Sequence, residues 1–410
     1  MSMTGKVETK RLSTKPLTGL WSPTHSILAR ALNHIDVGRL TIELPNGEHI
    51  EHKGTQPGPD AIVRLHQWRA LRQLALGGDV GFAKAYIDGL WTTPDITALV
   101  ELVARNNQSL LDSIAGHRLT RAVNWLRHRF NANTKQGSKK NIEYHYDLGN
   151  DFYGLWLDPR TIYSSALYKS PNETLEQAQT NKLDRIAQNL KLEAKHSVLE
   201  IGCGWGALAI DMAQNHGAHV YGVTLSPAQL EVAQERVQDN GIAACVDLRL
   251  QDYRDITGTF DRIVSIEMIE AVGEKFWPSY FGTLKSRLAE NGRIVIQAIT
   301  IADDRFETYR ERPDFIQRFI FPGGCLPTKT AMREQAERAG LKLVSDESFG
   351  QSYAQTLQEW NRRFQAAWPQ IEAQGFDDQF HRMWEYYLCY CEAGFKAEAI
   401  DVGLYTYEHA

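Results

Sequence analysis

Five short apolar segments between His196 and Thr300 constrain this chain most: "HSVLEIG", "HVYGVTL", "VDLRLQD", "FDRIVSIEM" and "GRIVIQAIT", each separated from the next by a stretch with helical spacing. That alternation predicts a doubly wound, largely parallel α/β sheet. Open sheets of this kind bind ligands beyond the carboxyl ends of their strands, where Gly202, Thr224, Asp252, Glu270 and Gln297 fall.

The first strand runs into Gly202-Cys203-Gly204-Trp205-Gly206, with a helix expected from Ala207. Glycines there let backbone approach a ligand where side chains would clash. A nicotinamide cofactor is disfavoured by three details. The spacing is G-x-G-x-G; Glu200 stands where an acid reaches a ligand amino group; and the second strand ends in Thr224, not in an acid that grips a ribose. After the third strand, Gln251-Asp252-Tyr253 offers an amide or carboxylate for an adenine amino group and an aromatic ring to pack on it. The combined pattern points to S-adenosylmethionine.

At 410 residues the chain is long enough for two or three domains. Residues 1–20 read as a flexible tail and 21–116 as a small α+β unit, with a hairpin about Pro45-Asn46-Gly47 and helical spacing from "AIVRL" onward, broken by Gly77-Gly78 and Thr92-Thr93-Pro94. His49, His52 and His66 lack the spacing of metal ligands and read as solvated side chains. Residues 117–140 form a basic linker carrying Arg118, Arg121, Arg127, Arg129, Lys135, Lys139 and Lys140 and no acid. Interleaved Val123, Trp125, Leu126 and Phe130 suit an anionic membrane surface, while a solvated helix is the plain alternative. Nucleic acid is not expected, since no binding module accompanies the patch. Residues 141–410 form the main domain. No apolar run reaches the roughly 18 residues of a membrane span, and the start of the chain lacks a secretory signal, so a cytoplasmic protein is expected. The five cysteines form no C-x-x-C pair and read as free thiols, and no metal site is expected. The net charge of −5 leaves any attraction to an anionic surface to a local patch.

Six blocks in order, "YHYDLGNDFYGLWLDPRTIYSSALY", "VLEIGCGWGALA", "GVTLSPAQ", "SIEMIEAVGEKFWPSYF", "FIFPGGCLPT" and "SYAQTLQEWNRRFQAAWP", resemble the cyclopropane-fatty-acyl-phospholipid synthases and mycolic acid cyclopropane synthases over about Asn141 to Tyr390. The resemblance implies a seven-stranded Rossmann-like methyltransferase sheet, a helical cap that makes an acyl tunnel, and, more loosely, an N-terminal lipid-associated domain. It also implies S-adenosylmethionine held by Tyr163, Ser164, Gly202, Gly204, Thr224, Gln229 and Gln251 to Tyr253. The family holds a bicarbonate ion as base. The positions that match its ligands are Ser165, Glu270, Gln297, the Ile299 backbone and Tyr353, which are the catalytic candidates.

Three departures bear on that ion. Ser165 replaces a Cys; Gln297 replaces a His and cannot carry a proton; and the family's Glu-His pair reads Glu270-Ala271, with an extra acid, Glu267, one turn earlier. The anion site is then weaker or holds water, and Glu270 could itself be the base. The expected function is methylation of the double bond of an unsaturated acyl chain in phospholipid at an anionic membrane surface. The product is a cyclopropane or, with the departures, a methyl- or methylene-branched chain. The alternatives are a small-molecule methyltransferase, which needs an open polar pocket, and a non-catalytic lipid-binding protein, which needs no intact cofactor site. Tyr144, Tyr146, Phe152, Tyr153 and Trp156 read as core or tunnel wall, and "FPGGCLP" as a substrate lid. A homodimer is compatible with the sequence.

Overall fold

The structure, a computed structural model, describes residue 32 and residues 34–106 and 148–410. The expected tail, the basic linker, Tyr144 and Tyr146 lie outside the described residues.

The N-terminal unit comprises β1 (Val37–Glu43), β2 (His49–Lys53), β3 (Gln56–Leu65), α1 (Arg69–Ile87), β4 (Trp91–Thr92) and α2 (Ile96–Arg105), with sheet order β2-β1-β3-β4. The expected hairpin forms: β1 and β2 pair antiparallel, and Leu44 N–H donates to Glu48 O at 2.8 Å across the turn. "AIVRL" is not helical. Residues 61–65 end β3, with Ala61 opposite Leu40 and Val63 opposite Ile42 on parallel β1, and Leu65 opposite Trp91 on β4. A short apolar run has no period of its own to decide the matter, and β-branched Ile62 and Val63 favour strand once partner strands are present. α1 breaks at Gly78, whose φ of 59° lies outside the helix, as the glycine pair implies. Asp95 caps α2 by accepting from Ala98 N–H at 2.8 Å.

The second unit opens with α3 (Asn150–Gly154) and α4 (Leu175–Leu190), the latter closed by a Thr174–Gln177 capping box. It continues β5 (Ser197–Ile201), α5 (Ala207–His216), β6 (His219–Thr224), α6 (Pro227–Asp239), β7 (Val246–Leu250), β8 (Phe260–Ile266), α7 (Ile269–Val272), α8 (Trp277–Arg287) and β9 (Leu288–Ile301). Then come α9 (Asp303–Glu311), α10 (Lys329–Arg338), β10 (Leu341–Ser348), α11 (Gly350–Ala373), α12 (Asp378–Lys396) and β11 (Ile400–His409). The sheet order is β10-β11-β9-β8-β5-β6-β7. Strands β5 to β9 are parallel, and β11 pairs antiparallel with both β9 and β10. All five sequence segments are strands of this sheet. The chain order reverses at β5, with β6 on one side and β8 on the other, so a crevice opens at its carboxyl end.

Helices α11 and α12 close over that crevice. Phe152, Tyr153 and Trp156 are fully buried and stack edge-on with Trp384, which makes them core. The two units share α12. Tyr86 OH donates to Glu385 Oε2 at 2.7 Å, Thr97 Oγ1 to Glu392 Oε2 at 3.0 Å, and Arg382 Nη1 to Ile87 O at 3.3 Å. No helix among the described residues is long and apolar enough to cross a membrane. The five cysteines are free thiols.

Candidate active site

β5 ends at Ile201, and the next turn places Gly202, Gly204 and Gly206 at φ of 86°, 52° and 83°, backbone that residues with a Cβ rarely adopt. Gly202 and Cys203 N–H both donate to Val223 O, at 2.9 and 3.0 Å, which fixes the turn against β6. Nothing lies within 4 Å of where a Cβ on Gly204 would stand. That open space is part of a cavity of about 820 Å³.

Glu200, at the end of β5, faces the same cavity and is 3% exposed. Its Oε2 has no hydrogen-bond partner among the described residues, and burial pushes its carboxyl up to about 8. Such an oxygen suits a ligand ammonium. Thr224 Oγ1 donates to Gln229 Oε1 at 3.1 Å, and Ser226 caps α6. Gln251 is oriented by Tyr221 OH, which donates to its Oε1 at 2.6 Å, and by its own donation to Asp255 O at 3.0 Å. Tyr163, Ser164, Gln251 and Tyr253 also line the cavity. Asp252 is the exception: its carboxylate is turned to Arg254 at 2.6 Å and does not line the cavity.

Lys182 escaped sequence reading. It is 1% exposed, lines the cavity and donates to Ser164 Oγ at 2.7 Å, and burial lowers its ammonium to about 8. The signal was a lysine on the buried stripe of α4, between Ala178 and Ile186.

The five catalytic candidates come together from three elements and a loop, but not on one another. Glu267 is their hub. Its Oε1 accepts from Ser165 N–H at 2.9 Å and Gln297 Nε2 at 2.7 Å, and its Oε2 from Tyr353 OH at 2.8 Å. Glu270 Oε1 accepts from Ile299 N–H at 2.6 Å, and its Oε2 has no partner among the described residues. Burial raises both carboxyls; Glu270 goes up to about 8, with the Glu267 charge as second cause. Ser165 and Gln297 are completely buried behind the cavity wall, which Glu267, Glu270, Ile299 and Tyr353 form.

From the carboxylates the cavity continues past "FPGGCLP", whose Cys325 N–H donates to Glu270 O at 2.8 Å, and on to the N-terminal unit. There its wall is Leu40 and Ile42 of β1, Val63 and Leu65 of β3, and Leu71 and Phe82 of α1. Sequence reading gave that unit only a loose resemblance to a lipid-associated domain. β1 and β3 each bury alternate residues; what lies against that face was not legible.

A doubly wound sheet with a glycine turn at its reversal point, a buried acid beside it with one carboxyl oxygen left for a ligand and an amide held after the third strand defines an S-adenosylmethionine-dependent methyltransferase. The chain belongs to the mycolic acid cyclopropane synthetase family, whose model matches residues 133–404. It is 36% identical over 363 residues to the tuberculostearic acid methyltransferase UfaA1 of Mycobacterium tuberculosis, covering 85% of this chain and 81% of that one. It is 35% identical over 374 residues to the cyclopropane-fatty-acyl-phospholipid synthase of Escherichia coli K12, covering 89% and 91%. Among solved structures, mycolic acid cyclopropane synthase CmaA1 complexed with SAH and CTAB superposes with a TM-score of 0.62 at 30% identity, over 66% of this chain and 97% of that one.

Proposed function

We propose that this enzyme methylates a double-bond carbon of an unsaturated fatty acyl chain carried in phospholipid, and that its product is a methyl- or methylene-branched chain. One observation carries the reading: a single cavity runs from the glycine turn, past two buried carboxyls, into an apolar pocket of the N-terminal unit. A small polar substrate has no use for such a pocket, and a lipid carrier without turnover has no use for the cofactor cradle.

S-adenosylmethionine supplies an electrophilic methyl group when bound. Tyr163, Ser164, Glu200, Gly202, Gly204, Thr224, Gln229, Gln251 and Tyr253 are the residues that would hold it. An isolated alkene is a weak nucleophile, so the protein's part is to align it and keep water out. The apolar walls do both. A buried carboxylate nearby stabilises positive charge on the chain and can then take up a proton.

Residues 21–116 and 141–410 act as the two domains in this proposal, joined by the basic stretch 117–140, which docks the enzyme peripherally on the anionic inner face of the membrane. Mass spectrometry of lipids from cells that do and do not express the protein tests the reading. A gain of one CH2 unit in monounsaturated chains is expected, and proton NMR separates upfield cyclopropane signals from the olefinic signals of an exocyclic methylene. Unchanged lipids would refute it.

A further inference from the structure

We infer that Glu267 is this enzyme's built-in base, its carboxylate standing where the family resemblance calls for an exchangeable bicarbonate ion. The inference rests on the proposed reaction but concerns a different fact, the source of the anion. Ser165, Gln297 and Tyr353, three of the positions expected to hold bicarbonate, all donate to Glu267 instead, at 2.9, 2.7 and 2.8 Å. An added bicarbonate would find those donors taken and a carboxylate against it. The residues present therefore do not fit the ion.

The backbone reports the same arrangement independently. Glu267 sits at φ 50°, in the left-handed region, where a residue with a Cβ is strained. The conformation is held by Glu267 N–H donating to Gln297 O at 2.8 Å and by the three bonds to the carboxylate. It is this backbone twist just past the end of β8 that lets the side chain meet a loop, β9 and α11 at once. Strain kept at a cavity wall by bonds from three sides is the mark of a positioned functional group.

Glu270 is the less suited of the two acids. Beyond its own backbone N–H, Ile299 N–H is the one donor among the described residues to its carboxyl, which lies beside a second negative group, so it stays protonated when Glu267 is ionised. Glu267 is faced by Lys182 from α4, Glu270 from α7 and Tyr353 from α11, the first and last of which favour its charge.

The proton balance is as follows. The alkene π pair forms the bond to the incoming methyl carbon, the sulfur keeps the pair of the broken C–S bond, and the neighbouring chain carbon is left cationic. Glu267 then accepts a proton from the new methyl group. The released C–H pair closes a cyclopropane or, if a hydride has first moved to the cationic carbon, forms an exocyclic C=CH2. No other reactant is needed.

The test uses the full-length enzyme, 13C-labelled bicarbonate and vesicles of dioleoylphosphatidylglycerol. By 13C NMR in the presence of S-adenosylhomocysteine, the parent should bind no bicarbonate, whereas Glu267→Gly, which empties the site and suits the backbone, should bind it. Parent turnover in CO2-free buffer should equal that with bicarbonate. Glu267→Gln should bind S-adenosylhomocysteine normally yet lose turnover at least roughly a hundredfold, the scale of general-base catalysis. Bicarbonate binding by the parent, a fall in its turnover on CO2 removal, or an active Glu267→Gln enzyme would each overturn the assignment. Should Glu267→Gly not fold, the parent titration and Glu267→Gln still decide. A parent that excludes bicarbonate but modifies no unsaturated lipid would refute the proposed substrate and leave the empty-ion finding intact.

Discussion

Tyr353 in α11 donates its hydroxyl hydrogen to Glu267 Oε2 at 2.8 Å, joining a helix of the cap to the end of β8 across 86 residues of sequence. The bond stabilises the ionised form of Glu267. Tyr353→Phe should lower turnover about tenfold, since a hydrogen bond to a charged group is worth roughly 1.5–3 kcal/mol and Phe keeps the packing. It should also move the acidic limb of the pH–rate profile to higher pH, because a carboxyl deprived of a donor titrates higher. An unshifted limb would separate Tyr353 from the base.

Gly204 is where the cofactor cradle is most exposed to substitution. Gly204→Val puts a branched side chain at φ 52° into open cavity space, and cofactor affinity measured by calorimetry should fall at least roughly tenfold, or about 1.4 kcal/mol. Undiminished affinity would place the cofactor elsewhere.

Glu270 makes stability depend on pH. Its folded pKa of about 8 lies above the ordinary 4.5. The folded state therefore holds a proton that the unfolded state releases between those values, and stability falls as pH rises through that window. Glu270→Gln mimics the protonated acid and escapes the loss. Thermal unfolding should show the parent losing stability relative to Glu270→Gln from pH 5 to pH 8.5, and turnover of the variant at neutral pH should stay within about tenfold of the parent, below the range expected for removing a general base. Parallel melting curves would mean that Glu270 is ionised throughout.

Val63 tests the far end of the cavity. It is 5% exposed and lines the pocket of the N-terminal unit. Val63→Phe should leave cofactor affinity unchanged while reducing turnover on long acyl chains more than on short ones, at a stability cost of about 1–3 kcal/mol. Equal loss at all chain lengths would show that the chain does not reach β3.

Charge reversal is not needed to probe the basic stretch. Replacing Arg118, Arg121, Arg127 and Arg129 together by Gln should weaken sedimentation with anionic vesicles, each cation near such a surface contributing about 1 kcal/mol. Binding equal to the parent's at low salt would reduce the stretch to a linker.

Much of the fold was legible because its signals are local. The five parallel strands announce themselves as apolar runs, the glycine turn as three residues only glycine suits, and the hairpin at Pro45-Asn46-Gly47 as a turn dipeptide between alternating residues. Glu200, Gly202, Gly204, Thr224 and Gln251 follow from the same source, since they cluster at the ends of strands, which can be read from sequence, whereas Tyr163, Ser164 and Gln229 were reached only through family resemblance. β10 and β11 were reached only through family resemblance: "LKLVSDES" alternates weakly, and β11 is a strand because β9 offers it an antiparallel edge.

Tertiary structure decided the rest, for one physical reason: a carboxylate's role is set by the donors and charges around it, which arrive from distant parts of the chain. Sequence placed Glu267 one turn before Glu270 and could not rank the two acids. The fold ranks them by bringing Ser165, Gln297 and Tyr353 to the first and, from elsewhere in the described chain, Ile299 N–H to the second. "AIVRL" became strand and tunnel wall in the same way. Its apolar residues required burial, but β1 and β4 chose its conformation, and the cavity chose what it faces.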